Sequence, residues 1–441
     1  MSCEQVTQML LALDVESELG TYNLATENPT ADLQQMEQIV APSNLRAALK
    51  RVKRNHGGPG VDDMSVDQLP IHLKEHWPQL RDQLVTGEYR PAPVLECEIR
   101  KPEGGTRRLG IPTVLDRFIQ QAVLQVLQPE WDPTFSDASF GFRPKRSAHQ
   151  AIAHVCEHYR AGCRWVVDLD LEKFFDRVNH DKLMALVEKR TTDWRVRRLI
   201  RRYLQAGMKS GEIYIPRGEG TPQGGPLSPL LANLLLDQLD KELERRKLRF
   251  ARYADDCNIY VRSSRAAYRV KWTITQFLAK ELKLKVNESK SAVAKPRHCS
   301  FLGFSIGRSA TVHISNKTIK RLKQRVRNMT QRTRGQSPAQ IIGELGQYLK
   351  GWLQYYEVAR KRTAFYGLQA WICRRLRCYM WKQWGRAGYR ELRKRGVSRN
   401  LAWNTSKSAH GPWRLSRSPA LSIALPTRHF VSLGLPLLYI N

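Results

Sequence analysis

Residues 253–256 read Tyr-Ala-Asp-Asp, with Phe250 before them and Ile259, Tyr260 and Val261 after. Two adjacent carboxylates in a strand–turn–strand frame repel each other and resist burial, so they make sense when a divalent cation sits between them. Phosphoryl transfer to a 3′ hydroxyl has that need. It takes two Mg²⁺ ions about 4 Å apart on oxygen ligands, one activating the attacking hydroxyl and one stabilising the leaving pyrophosphate. Two or three carboxylates must then converge from different strands. Asp255 and Asp256 supply one half. The other lies in Trp165-Val-Val-Asp-Leu-Asp-Leu-Glu-Lys-Phe-Phe-Asp176, where Asp168 and Asp170 end an apolar strand and share a face because strand side chains alternate. Spacing alone leaves either as the ligand, and Asp176 reads as a helix residue or surface acid.

Two more segments offer groups for a nucleotide. In Thr221-Pro-Gln-Gly-Gly-Pro-Leu-Ser-Pro229 the Gly224-Gly225 pair permits close backbone approach, and Gln223 can donate and accept along a base or sugar edge. The turn at Gly104-Gly105 presents Lys101, Arg107 and Arg108 as clamps for a triphosphate.

The elements that must position these residues follow from local pattern. Residues 1–45 suggest one or two polar amphipathic helices ending near Ala41-Pro42-Ser43. A helix with Leu45, Leu49 and Val52 on one face then closes at Gly57-Gly58-Pro59-Gly60. Alternation of Leu95, Cys97 and Ile99 before Gly104-Gly105, with a return through Ile111, predicts a hairpin over 95–111. Helices are expected at 116–127, from about Lys173, through Leu239 and over 266–282, with short strands around Ala292 and over 301–306. From about Asn316 to 396 the pattern is helical and basic; the last 40 residues lack periodicity, and no internal repeat is seen.

The net charge of +32 favours a polyanionic partner. Residues 1–45 hold seven acids and no Lys or Arg, whereas 316–441 hold 26 Lys/Arg against Glu344, Glu357 and Glu391. That tail also carries Trp352, Trp371, Trp381, Trp384, Trp403 and Trp413, a basic–aromatic mixture suited to structured RNA or single strands. Eight cysteines without a C-x-x-C pair argue against a disulfide scaffold or cysteine zinc site. With no membrane-length apolar run and an acidic N-terminus unlike a signal peptide, a cytoplasmic protein with no membrane partner is expected.

In order and spacing these segments resemble the reverse-transcriptase domain of bacterial group II intron-encoded proteins. Asn55-His-Gly-Gly-Pro-Gly-Val-Asp62 precedes the fingers; Lys101, Arg107-Arg-Leu-Gly-Ile-Pro112, Asp116-Arg117 and Gln120-Gln121 are similar to the finger motifs, followed by Phe140-Gly-Phe-Arg-Pro-Lys-Arg-Ser147. Asp170-Leu-Glu-Lys-Phe-Phe-Asp176 matches the first catalytic motif. The resemblance therefore implies Asp170, Asp255 and Asp256 as the catalytic trio, Leu171 joining them in the metal set, and Phe175 as a steric gate against the ribonucleotide 2′-hydroxyl. It assigns Lys101, Arg107, Gln223 and Gly224 to the incoming nucleotide. Lys290, in Asn287-Glu-Ser-Lys290, and Phe301-Leu302-Gly303, which resembles a primer grip, fall to primer and template. Tyr348, Gly351-Trp352 and Tyr355-Tyr356 resemble the maturase domain, with Tyr348, Trp352 and Tyr355 toward RNA. The ending from Gly411-Pro-Trp-Arg to Phe430 looks like the class C subgroup, so a protein lacking a C-terminal nuclease domain is expected.

The implied fold is α+β, a right-hand polymerase whose fingers and palm carry antiparallel sheet, followed by an all-α thumb/maturase domain. Expected boundaries are an acidic extension at 1–45, fingers at 46–160, palm at 161–315, thumb/maturase at 316–400 and a basic DNA-binding tail at 401–441. The implied function is RNA-directed DNA polymerisation with two Mg²⁺ ions, together with binding of intron RNA to promote splicing and mobility. Partners would be that RNA, target DNA or primer, and dNTPs. A splicing-only maturase and a domesticated reverse transcriptase in phage defence or diversity generation are the alternatives. The intact carboxylate trio weighs against the first, and the Gly-Trp-x-x-Tyr-Tyr segment against the second. His154-Val-Cys-Glu-His158 fits the inverted zinc-protease pattern but has no convincing downstream third ligand.

Overall fold

A computed structural model describes residues 35–100, 105–359 and 362–439. It comprises two compact units that divide between Lys295 and Pro296.

The first unit begins with α1 (Gln35–Ile39), α2 (Pro42–Arg54) and α3 (Leu69–Val85). The described end of the acidic extension is a short helix that stops just before Ala41-Pro42. Met36 and Ile39 are fully buried in the main core, and Arg195 pairs with Glu37 at 2.7 Å and with Asp193 at 2.9 Å. Residues 1–34 of that extension lie outside the described residues. The expected hairpin forms as β1 (Val94–Arg100) and β2 (Thr106–Ile111), in register from Leu95↔Ile111 to Arg100↔Thr106. Next come α4 (Val114–Trp131), α5 (Ala148–Arg160), β3 (Trp165–Leu169), α6 (His180–Glu188), α7 (Trp194–Gln205), β4 (Met208–Ser210) and β5 (Ile213–Ile215). The unit closes with α8 (Ser228–Arg245), β6 (Arg249–Tyr253), β7 (Asp256–Val261), α9 (Ser264–Glu281) and β8 (Ala292–Ala294).

Helix starts follow their caps. The Thr113 hydroxyl accepts from the Asp116 amide at α4, Ser147 and Gln150 form a capping box at α5, and Ser263 accepts from the Ala266 amide at α9. No helix starts at Lys173. That residue takes a left-handed φ of 49°, a 3₁₀ turn follows over Phe174–Asp176, and α6 waits for its Asn179 cap.

Two four-stranded sheets result. One has the order β6-β7-β3-β8 and is antiparallel throughout. The other, β2-β1-β4-β5, departs from the antiparallel expectation: β1 and β4 run parallel at Val94↔Met208 and Leu95↔Lys209. A parallel neighbour needs a long crossover, which the chain from α4 to α7 supplies. Val167, Leu169, Phe250, Cys257 and Ile259 share the core with Leu230 and Leu234 of α8 and Val270, Ile274 and Leu278 of α9. Each fully buried aliphatic side chain contributes roughly 1.5–3 kcal/mol over leaving it in water.

The second unit opens with a two-stranded antiparallel ribbon, β9 (Phe304–Ile306) and β10 (Val312–Ile314). The helices α10 (Asn316–Met329), α11 (Pro338–Tyr355), α12 (Arg362–Trp384), α13 (Gly388–Lys394) and α14 (Arg399–Ser406) follow. The aperiodic tail folds as three short helices, Pro412–Leu415, Pro419–Ala424 and Thr427–Ser432, which bury Leu415, Leu421, Leu425 and Phe430. Elements this short show no amphipathic period, because each bears one or two core residues per turn. The α+β class holds, with sheet and helix mixed in the first unit and helix dominant in the second.

Candidate active site

Central strand β3 pairs with β7 from Trp165↔Val261 to Leu169↔Cys257 and with β8 from Val166↔Ala294 to Asp168↔Ala292. One step past the last β7 pair, Asp170 comes to the register position of Asp256. Strand alternation then puts Asp168, Asp170 and Asp256 on the face opposite the buried Val167, Leu169 and Cys257. Ala254 and Asp255 form the two-residue turn between the paired Tyr253 and Asp256, and Ala254 takes a left-handed φ of 55°. The two carboxylate elements singled out in the sequence thus lie at one end of two adjacent strands.

Asp170 is clasped through its backbone. Its N–H donates to Ser291 Oγ at 2.9 Å, and its carbonyl accepts from the Asn287 amide at 2.8 Å. Leu171 then lies opposite Val286 between two ladder bonds, so its own carbonyl turns away from that partner. The turn from Asn287 to Ser291 also brings Lys290 Nζ to 3.8 Å from Asp170 Oδ2, which locates the Asn-Glu-Ser-Lys segment beside the end of β3.

The Tyr-Ala-Asp-Asp turn is held from behind by a buried bracket. Arg252 is 0% exposed; its Nε donates to both oxygens of Asp240, and its Nη1 donates to Asn233 Oδ1 at 3.0 Å and to the Ala254 carbonyl at 2.9 Å. Asn233 Nδ2 in turn donates to the Gly141 carbonyl at 2.9 Å. Burial opposes both charges, but the bidentate Asp240 contact outweighs it and holds the Arg252 guanidinium above its ordinary pKa. A Cβ at Gly141 would lie 2.2 Å from the Ala254 amide nitrogen, so the Phe140–Arg143 loop fits against the turn only with glycine there. That loop is fixed by Arg143, which pairs with Asp132 at 2.9 Å and donates to the carbonyls of Ser136 and Ser139.

The loop at 220–225 meets the Phe174–Asp176 turn and the β2 strand. The Thr221 amide donates to the Phe175 carbonyl at 2.7 Å, and a Cβ at Gly220 would crowd the carbonyls of Phe175 and Asp176. The Gly110 amide donates to the Gln223 carbonyl at 3.0 Å, and Gly224, at φ 134°, lies against the Gly110 carbonyl. Gln223 and Gly224 therefore join β2 to the turn carrying Phe175, which is buried at 8% exposure. Lys101 and the Arg107 side chain lie outside the described residues. Arg108 faces Glu96 at 3.3 Å and Glu98 at 3.9 Å.

Phe301, Leu302 and Gly303 belong to the second unit, which begins at Pro296, about twenty residues before the expected thumb boundary. The reason is a local weld: Tyr355 Oη donates to the Leu302 carbonyl at 3.1 Å, and Gly303 packs against Tyr356 with φ 80°. Trp352 lies 4.8 Å from Tyr356 and Tyr355 lies 5.6 Å from Phe304, while Arg325 lies over the half-buried Tyr348 ring, so the three aromatic residues assigned to RNA also pack within this unit. In the H-x-x-E-H segment His158 Nε2 is bonded to the Phe250 carbonyl at 3.0 Å, and His154 Nδ1 lies 3.4 Å from Glu157.

The sequence shows Asp116 as part of a finger motif but not that its side chain is buried. Asp116 accepts from Tyr89 Oη at 2.9 Å, the Ala92 amide and Thr113 Oγ1; burial pushes its carboxyl up to about 6 against these hydrogen bonds.

Oxygen donors at Asp170, Asp255 and Asp256 suit a hard divalent cation, and the reach of Lys290 to Asp170 shows that this carboxylate is open to positive charge. Among the described residues, no three His, Cys, Asp or Glu side chains are gathered into a ready metal cage. Nor is any described helix long and apolar enough to cross a membrane.

The model of the reverse transcriptase (RNA-dependent DNA polymerase) family matches residues 99–306, and that of the group II intron maturase-specific domain matches 319–397. Among curated relatives, Protein YkfC of Escherichia coli (strain K12) is 34% identical over 248 residues, 54% of this chain and 64% of that protein. Group II intron-encoded protein LtrA of Lactococcus lactis subsp. cremoris is 36% identical over 217 residues, 48% of this chain and 36% of that protein. A 91 kDa protein in the cob intron of Schizosaccharomyces pombe is 36% identical over 190 residues, covering 43% and 22%. The chain thus spans less than two thirds of the length of each of these relatives.

Proposed function

Because this chain belongs to the bacterial group II intron reverse transcriptases that carry a maturase domain, we propose that it is an RNA-directed DNA polymerase that also binds its intron RNA to promote splicing and mobility. The observation that carries the reading is the arrival of Asp170 beside the Asp255–Asp256 turn at the end of adjacent strands. Reverse transcriptases use divalent metal ions. Here Asp170, Asp255 and Asp256, with the Leu171 carbonyl, would hold two Mg²⁺, which when bound lower the pKa of the primer hydroxyl and neutralise the leaving pyrophosphate.

The chain's own groups would do the rest. Phe175, held beneath the Thr221 amide, would close the space beside the sugar and exclude a 2′-hydroxyl. Gln223 and Gly224, held to β2 through Gly110, would border the nascent pair, and Lys101 and Arg107 would bind the triphosphate. Lys290 and Phe301–Gly303 would touch primer and template, and Tyr348, Trp352 and Tyr355 the intron RNA. Proton removal from the primer needs no side-chain base in this scheme.

The test is extension of a DNA primer on an RNA template with dNTPs and Mg²⁺. The unmodified protein should extend; Asp255→Ala and Asp170→Ala should each lose activity by about 10³-fold or more, as expected for a metal-dependent step. Absence of extension by the unmodified protein would refute the polymerase reading.

A further inference from the structure

We propose that the solvent face of α9 is a second nucleic-acid surface, which takes a single-stranded or looped stretch of RNA outside the polymerase site. The choice of RNA as occupant rests on the function proposed above; the surface itself rests on geometry. One side of α9 is committed to the core through Ala267, Val270, Ile274 and Leu278. At 3.6 residues per turn, Arg265, Tyr268, Arg269, Trp272, Gln276 and Lys280 fall within about a third of the circumference on the other side.

Tyr268 is 62% exposed and Trp272 is 66% exposed, four residues apart on this arc. Two large aromatic rings on one outward stripe bury only a minor part of their surface in the fold, whereas every base offers a face to stack on them. Trp272 also walls a shallow groove with Phe277, Lys280 and Arg246; Arg246 pairs with Glu242 at 2.6 Å, and Lys280 suits a phosphate flanking a stacked base. Glu281, at the groove's end, is the only acid in the helix.

The arc from Arg265 to Lys280 is about 22 Å long at the helical rise, room for a few extended nucleotides. A second copy of the chain would set Arg265, Arg269 and Lys280 against a like-charged face, which opposes self-association. A membrane is disfavoured because the aliphatic side of the helix points inward.

The experiment uses the full chain with its polymerase site filled by a dideoxy-terminated primer on an RNA template. Binding of a fluorescein-labelled single-stranded RNA oligonucleotide is then titrated. Tyr268→Ala/Trp272→Ala should weaken it by roughly 10-fold or more, given the usual value of base–aromatic stacking, and Trp272→Phe should retain affinity. Arg269→Glu/Lys280→Glu should weaken it and flatten its salt dependence. Primer extension, assayed without the competitor, should be unchanged in all three variants.

Affinities within twofold of the unmodified protein would overturn the proposal, as would no residual RNA binding once the polymerase site is filled. A change in sedimentation without a change in RNA affinity would assign the face to a second copy and also overturn it. Failure of the unmodified protein to extend a primer would strike the polymerase reading alone, since the titration reads RNA binding directly.

Discussion

Arg252 decides how firmly the Asp255 turn is held. Its guanidinium touches Asp240, Asn233 and the Ala254 carbonyl at once, a reach that a point-charge ammonium cannot reproduce. Arg252→Ala leaves Asp240 charged, buried and unpaired and should cost about 3–5 kcal/mol of stability in a urea melt. Arg252→Lys keeps a charge but drops part of the bracket; extension should fall in kcat with little change in KM for dNTP. An equal loss in KM would mean the bracket shapes substrate binding instead. At Phe175, Ala should admit ribonucleotides, read as the ratio of kcat/KM for a dNTP to that for the matching ribonucleotide; unchanged discrimination would remove the gate assignment. The carboxylates could be found from sequence because paired acids at a strand end are costly without a cation. Arg252 could not: beside Tyr-Ala-Asp-Asp in a chain of +32 it reads as another surface cation, and its partners sit on a helix 12 and 19 residues earlier.

Between elements, glycines mark where backbones meet. Gly141→Ala would drive a methyl into the Tyr253–Ala254 backbone, which has no flexible side chain to yield, so extension should collapse along with a measurable fall in Tm. Normal activity would show that the loop can withdraw. Asp116, which ties the start of α4 to Tyr89 and the Ala92 amide, gives a pH signature. The folded carboxyl keeps its proton to about 6 while the unfolded one releases it near 3.8. Folding therefore takes up a proton in that window, and this group's contribution to stability falls as pH rises through it. Relative to Asp116→Asn, the unmodified protein should lose up to about 3 kcal/mol between those limits and nothing further above them, by urea unfolding across the range. A pH-independent difference would show that Asp116 is ionised throughout. The long elements were readable from their apolar period and caps. The 3₁₀ turn at Phe174–Asp176 and the parallel β1–β4 pairing were not, since a left-handed Lys173 and a two-pair contact across more than a hundred residues leave no local pattern.

For the molecule as a whole, charge is the property that sequence alone settles and folding distributes. The chain carries +32, of which residues 316–441 hold 26 cations against three acids. Among the described residues of that segment Arg334 meets Glu344 and Arg395 meets Glu391, while Arg374 stacks 3.6 Å over Trp413 and Lys407 lies 5.0 Å from Trp403. Cations backed by indole rings keep their charge available to phosphates while stiffening the side chains that present it. RNA affinity should therefore fall steeply and linearly on a plot of log K against log salt. If six to ten phosphates are neutralised, affinity should drop by about 10³–10⁵ between 50 and 200 mM salt. Arg374→Gln/Arg375→Gln, which removes two tail charges, should reduce the slope by about two units if both contact phosphate, while leaving the salt dependence of primer extension on a prebound duplex unchanged. A slope indifferent to that pair, in a chain whose total slope is steep, would move the RNA footprint off the tail and onto the first unit, where α9 presents its own cations.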